Sequence, residues 1–144
     1  MEAIKFQIMV IGKFLTQVIN MELLGFINEH NPSFSKTYSD FRKQFNLESK
    51  QEILIYLKKG IPIATTMQLI SSLIKDNQTI LGGIVYLTDG NWIWPSYLSH
   101  YVEYESIELP RKFLEHILNN KSEIFVNTEN RNQAISILKN TNIL

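Results

Sequence analysis

Cysteine is missing from this chain, which excludes a disulfide framework, a thiolate metal site and a cysteine nucleophile together. Histidine is scarce, with only His30, His100 and His116. Nowhere is there a hydrophobic run long enough to cross a bilayer. The most apolar stretch, at 4–19, is interrupted by Lys5, Gln7 and Lys13, so no run approaches the ~20 residues that a span requires. Glu2 precedes that stretch and no small-residue cleavage site follows, so a secretory signal is not expected. Net charge is absent too, because 14 basic residues balance 14 acidic ones. That balance argues against bulk electrostatic binding to nucleic acid or to an anionic membrane.

What remains is a globular composition, 44% hydrophobic and 19% charged over 144 residues. It predicts a single domain, 1–144, without repeat, linker or low-complexity segment. The absence of cysteine and of an export signal suits the cytoplasm. Charge is unevenly placed, however. The window 76–110 contains Asp76, Asp89, Glu103, Glu105 and Glu108 but no Lys or Arg, so it carries −5 and the rest of the chain +5. Both tryptophans (Trp92, Trp94) and four of the six tyrosines (Tyr86, Tyr97, Tyr101, Tyr104) fall in the same window. An acidic, aromatic segment of this kind points to a partner rather than to chemistry.

Periodicity predicts the elements. Leu15, Val18, Ile19, Leu23, Phe26 and Ile27 form one apolar stripe of a helix over about 13–30, ended by Asn31-Pro32. Residues 3–11 fit both strand and helix spacing. A loop and a short helix follow at 33–47, with Tyr38, Phe41 and Phe45 at spacings of three and four. Ser49-Lys50-Gln51-Glu52 reads as a capping box opening a helix to Lys59, with Gly60 as its left-handed stop. Residues 61–67 suit a short strand, and Leu69, Ile70, Leu73 and Ile74 a helical turn before a turn at Lys75-Asp76-Asn77. A hairpin is expected at about 79–94, reversing at Asp89-Gly90, with Gly82-Gly83 marking a bulge or the close approach of another backbone. Pro95 suits the first turn of a helix over about 95–105, with Leu98, Tyr101 and Val102 inward. Pro110 opens a further helix to about Asn119, 123–126 adds a strand, and Thr128 begins a terminal helix carrying Ala134, Ile135 and Leu138. The expected class is α+β, several helices packed on a small, mainly antiparallel sheet.

Catalytic patterns are weak throughout. His100 and Glu103 fall on one helical face, yet a single such pair does not make a metal site. His30 is placed to cap a helix end, and His116 to lie on the margin of an amphipathic helix. Asp89 fits the Asp-Gly turn itself. Gly82-Gly83 lacks the following Lys-Ser or Lys-Thr of a phosphate loop, and no serine sits in a nucleophile elbow. Trp92 and Trp94, two apart, share one strand face, either as core or as anchors of an interface. Base stacking is not expected where no Lys or Arg accompanies the aromatics. No catalytic residue, cofactor or metal is therefore expected.

The run Leu87-Thr88-Asp89-Gly90-Asn91-Trp92-Ile93-Trp94 continues with Leu98-Ser99-His100-Tyr101-Val102 and then Leu109-Pro110-Arg111-Lys112-Phe113. This pattern (L-T-D-G-x-W-x-W, L-x-x-Y-V, L-P-x-x-F) resembles small bacterial proteins similar to the immunity proteins of polymorphic or contact-dependent toxin systems. It covers about residues 60–118. The resemblance implies a non-catalytic protein that binds and occludes a cognate protein toxin. An acidic, aromatic face suits a basic toxin such as a nuclease, since opposite charge speeds encounter. The expected partner-binding residues are Asp89, Trp92, Tyr97, His100, Tyr101, Glu103, Tyr104 and Glu105. Two other readings are open: a small-molecule or regulatory module with an aromatic pocket around Trp92 and Trp94, and an enzyme using His100 with nearby carboxylates. A homodimer through the aromatic face is compatible with the same signal.

Overall fold

In the computed structural model, residues 9–11, 14–16, 21–42, 49–76, 78–120 and 122–144 are described, the first two segments by their backbone alone. In chain order they form β1 (Met9–Ile11), β2 (Phe14–Thr16), β3 (Glu22–Leu23), α1 (Tyr38–Phe41), α2 (Lys50–Lys58), β4 (Ile61–Thr65) and β5 (Ile70–Ser71). There follow β6 (Ile80–Gly82), β7 (Val85–Thr88), β8 (Trp92–Pro95), α3 (Tyr97–Tyr104), α4 (Arg111–Asn119) and α5 (Thr128–Asn140). The class is α+β, as the patterning predicted. A four-stranded sheet has the order β3-β8-β7-β4, while β1–β2 and β5–β6 are separate two-stranded ribbons. Among the described pairings only β3 with β8 is parallel.

The β7–β8 hairpin is central because β8 is flanked on both edges and buried along its whole length. Tyr86 pairs with Pro95, Leu87 with Trp94 and Thr88 with Ile93, and Gly90 takes φ +97° at the reversal, as an Asp-Gly turn requires. Trp92 and Trp94 share a face, their rings 5.2 and 6.0 Å from that of Phe113 on α4. The sheet thereby holds α4, and Trp94 Nε1 donates to Leu57 O (3.1 Å) to hold α2 as well. Full burial of side chains this large contributes about 1.5–3 kcal/mol each. The residues before the hairpin diverge from it, because Ile80–Gly82 pairs with β5 instead. Gly83 is the close approach read from the sequence: a Cβ there would stand 2.2 Å from Thr66 O.

Several expectations are corrected. No helix runs over 13–30 where the chain is described; 13 and 17–20, with Val18 and Ile19 of the expected stripe, lie outside the described residues. Glu22–Leu23 pairs with Trp92–Ile93, Leu24 N donates to Ile93 O (2.8 Å), and Gly25 sits at φ +75°. The sheet satisfies this backbone, and the apolar residues assigned to a helical stripe, Phe26 and Ile27, reach the core from an irregular segment. α2 forms, but without a capping box: Ser49 lies at φ 59°, ψ 35° and its hydroxyl makes no cap bond. A left-handed cap residue turns its side chain away from the free N–H groups, which an extended one would reach. The box forms instead at α1, where Thr37 Oγ1 accepts from Asp40 N (3.4 Å) and Asp40 Oδ2 from Thr37 N (2.9 Å). Phe45, expected in that short helix, lies outside the described residues.

Gly60 is not a left-handed stop, since among the described glycines only Gly25, Gly82 and Gly90 have positive φ. Its requirement is space, because a Cβ would meet Trp94 Cζ2 at 2.5 Å and Leu87 Cβ at 2.9 Å. The apolar cluster at 69–74 is a strand edge rather than a helical turn, with Ile70 buried and Leu69 exposed in alternation. Pro95 closes β8 instead of opening α3. Residues 123–126 form no strand, and Phe125 there is exposed.

Candidate functional site

The acidic, aromatic segment divides into two parts. The first is the hairpin turn. Asp89 Oδ1 accepts from Asn91 N (2.8 Å) and Trp92 N (2.7 Å), the local geometry of an Asp-Gly turn. Its Oδ2 reaches across the fold, accepting from Tyr56 Oη of α2 (2.5 Å) and lying 2.8 Å from His116 Nε2 of α4. The Asn120 amide stands 3.3 Å from His116 Nδ1. A carboxylate oxygen accepts, so His116 donates to Asp89 through Nε2. Burial, then the bond to Asp89 and its charge, push the Tyr56 hydroxyl far above the ordinary tyrosine range and keep it a donor. Thr88 Oγ1 completes the turn, donating to Trp92 O (2.7 Å) and accepting from Gly90 N (3.0 Å).

The second part is α3, whose inner face is fixed by hydroxyl groups. Tyr97 Oη donates to Asn31 Oδ1 (2.7 Å) and accepts from Ile27 N (3.0 Å), and Asn31 Nδ2 donates to Tyr86 Oη (2.9 Å). Tyr101 Oη lies 2.7 Å from His30 Nε2 and accepts from Leu73 N (3.1 Å). His100 Nε2 lies 2.8 Å from Ser72 Oγ, which also accepts from Ile74 N (3.2 Å). These bonds join α3 to the turn at 27–31 and to the end of β5. His30 is thus a buried member of the network and not a solvated helix cap. Burial lowers its pKa most, with Glu29 opposing and His100 assisting. Burial likewise lowers that of His100 against the pull of Glu103.

Comparison with protein-family models, with curated proteins and with solved structures finds no match for this chain. The reading of the site therefore rests on its own geometry. Of the eight residues expected to bind a partner, Asp89, Trp92, Tyr97 and Tyr101 are buried. Their side chains hold the hairpin and α3 in place. His100 and Glu105 are half-buried, Glu103 is exposed, and Tyr104 is 55% exposed beside His100, with ring centroids 5.2 Å apart. Glu105 is further tied to Arg42 (3.5 Å). The structure does bring His100, Glu103 and Tyr104 together on one short helix, Glu103 and Tyr104 exposed and His100 half-buried against Ser72.

Chemically, both Asp89 oxygens are occupied, each by two polar hydrogens, so neither is left free to take a proton from a ligand. The Ser72–His100 contact has the composition of a nucleophile–base pair, but Ser72 is buried and its neighbouring amides are engaged. Leu73 N is bonded to Tyr101 and Ile74 N to Ser72 itself, so neither is free to hold an oxyanion. Among the described residues no group of three or more His, Asp or Glu could hold a metal ion, and no helix is long and apolar enough to cross a membrane. Elsewhere a cleft of about 650 Å³ opens between β3, the 33–36 loop and 108–110. Trp92 lies in its wall, whereas Trp94 is buried against α2 and does not line it.

Tyr56, His116, Asn31 and Ser72 are the polar partners that sequence reasoning missed. Each is separated from its partner by 27 residues or more, as His116 is from Asp89. Local spacing carries no trace of such pairs.

Proposed function

We propose that this chain is a cytoplasmic immunity-type protein that binds a cognate bacterial toxin and occludes it without catalysis. The observation that carries the reading is the outer side of α3. A helix whose inner face is fixed by two buried tyrosines, Tyr97 and Tyr101, presents Glu103 and Tyr104 outward, with half-buried His100 beside them. A pre-ordered aromatic and acidic epitope loses little entropy on binding, and tyrosine is among the residues that dominate interface energetics. The resemblance over 60–118 supports the same reading, since its motif residues build the hairpin and α3. A basic toxin such as a nuclease is the partner chemistry that suits Glu103.

Co-expression with the protein encoded beside this one in its genome, followed by affinity purification, tests the reading. The expected result is a neighbour that is toxic alone, tolerated together and co-purified in stoichiometric amount. A harmless neighbour that does not bind overturns it. One observation favours a second reading, small-molecule binding. The cleft walled by Trp92 is lined by apolar Leu23, Phe34 and Phe41 together with polar Ser35 and Lys36, the usual make-up of a ligand site. Saturable thermal stabilisation by a member of a metabolite panel, with quenching of tryptophan emission, would favour it.

A further inference from the structure

Beside α3, the β5–β6 ribbon and the residues leading into it carry apolar side chains that no other described residue covers. Met67 is 95% exposed, Leu69 70% and Ile80 66%. The ribbon has two unlike faces. Ile70, opposite Gly82, is buried, whereas Ser71, opposite Ile80, points to solvent. Leu69, two residues before Ser71, alternates onto that same outer face. Isolated exposed apolar residues are ordinary, but several large ones on one small ribbon and the segment leading into it mark a contact surface. The end of the ribbon also packs on α3 beside His100. Ser72 Oγ is 2.8 Å from His100 Nε2, and Leu73 N donates to Tyr101 Oη (3.1 Å).

We infer that the outer face of the β5–β6 ribbon is the apolar half of the same partner contact, and that it receives an apolar patch bordered by Lys or Arg. This rests on the immunity reading and specifies the partner's surface. Charge selects this occupant over a second copy of the chain. Exposed Asp76 stands on the loop between β5 and β6, and exposed Glu103 acts electrostatically on His100, which touches the ribbon's end. Lys75 is the one Lys or Arg over 61–110, against exposed Asp76 and Glu103, while Asp89 is buried and Glu105 is paired with Arg42. Two copies meeting here would set like charges around an apolar centre, which disfavours association, whereas a basic rim on a partner gains from it. The apolar centre then governs the rate of dissociation and the acidic border the rate of encounter.

The test uses the full-length chain and the protein encoded beside it, with binding measured by surface plasmon resonance and oligomeric state by sedimentation. The double variant Leu69→Thr/Ile80→Thr should keep the wild-type melting temperature and lose about tenfold or more in affinity, mostly through faster dissociation. Leu118→Ser and Phe125→Ser, exposed apolar positions elsewhere, should bind as wild type does. A neighbour that binds the ribbon variant as tightly as wild type overturns the ribbon proposal and leaves the immunity reading standing. No binding by wild type overturns both. Concentration-dependent dimerisation of the wild type that the ribbon variant abolishes overturns the basic partner in favour of a second copy.

Discussion

Asp89 and Glu103 belong to one acidic segment and live in opposite surroundings. Asp89 is buried, with both oxygens committed to donors from the turn, α2 and α4. Glu103 is exposed on a helix that Tyr97 and Tyr101 fix from its buried side. Counted along the chain they are the same charge. In the fold one is a structural clamp and the other is surface available to a partner. An acidic, aromatic stretch is thus two features superimposed, and substitution should separate them.

The largest effect is expected from Asp89→Ala. It removes acceptors for two turn amides and leaves the buried Tyr56 hydroxyl without its carboxylate, so the loss should be about 3 kcal/mol or more. For a chain of this size that lowers the melting temperature by roughly 10 °C, which thermal denaturation reads directly. A loss below about 1 kcal/mol would mean that the turn holds without its clamp, and the contrast with Glu103 would fail. Gly60→Ala comes next, at about 1–3 kcal/mol, because the new Cβ must displace the buried indole of Trp94 or the β7 backbone around Leu87. If Gly60 served as a left-handed helix stop, alanine would act through backbone strain. The packing account instead predicts that Trp94→Phe narrows the difference between glycine and alanine at position 60.

These two positions also show what the sequence discloses. The hairpin, the helices at 50–58, 97–104, 111–119 and 128–140, and the α+β class were all legible, because turn chemistry and apolar period are local signals. Gly60 was recognised as a boundary for the wrong reason, since the atoms that demand glycine there belong to Trp94 and Leu87, far along the chain. Likewise, Asp89 was legible as a turn residue but not as the point where α2 and α4 meet. The segment around 21–27 misled because its apolar residues satisfy a helical period, while its backbone hydrogen bonds go to β8. Of the expected site residues, helical spacing placed Glu103 and Tyr104 correctly away from the inward face of α3 but put Tyr97, which is buried, with them. Which aromatics would be consumed by the core could not be read, because that depends on partners such as Asn31 and His30.

Glu103→Lys should sharpen the other side of the contrast. Stability should stay within about 0.5 kcal/mol of wild type, as for most exposed substitutions. Association with a basic partner should slow several-fold, with the difference shrinking as salt rises. Stopped-flow association at two ionic strengths checks this. Equal rates for wild type and variant would remove Glu103 from the contact. Adding Glu105→Lys extends the reversal, but it also breaks the Arg42 pair. The single variant is therefore the cleaner measure of binding.

The smallest effect expected is a pH dependence centred on the α3 anchors. His30 is buried, its Nε2 against Tyr101 Oη, and Tyr101 Oη already accepts from Leu73 N. Neutral His30 can accept the tyrosine proton; a protonated ring must donate to an oxygen that already has a donor. The groups facing it are Tyr97, Tyr101, the nearby Glu29 and, beyond Tyr101, His100. Desolvation prevails over the attraction of Glu29, so the folded pKa lies below the ordinary 6.5 that the unfolded chain retains. The unfolded state therefore binds more protons as acid is added. Stability is fully present above 6.5 and is lost as pH falls through that value towards the folded pKa. His100, lowered by its own burial, contributes with the same sign. Urea denaturation at about pH 7.5 and about pH 5.5 should show lower stability in acid, by less than Asp89→Ala costs. His30→Gln, which keeps a hydrogen-bonding side chain but cannot titrate, should flatten that dependence. If the variant keeps the full wild-type slope, His30 does not report the neutral state of the network, and the acid sensitivity belongs to His100 and the outer face of α3.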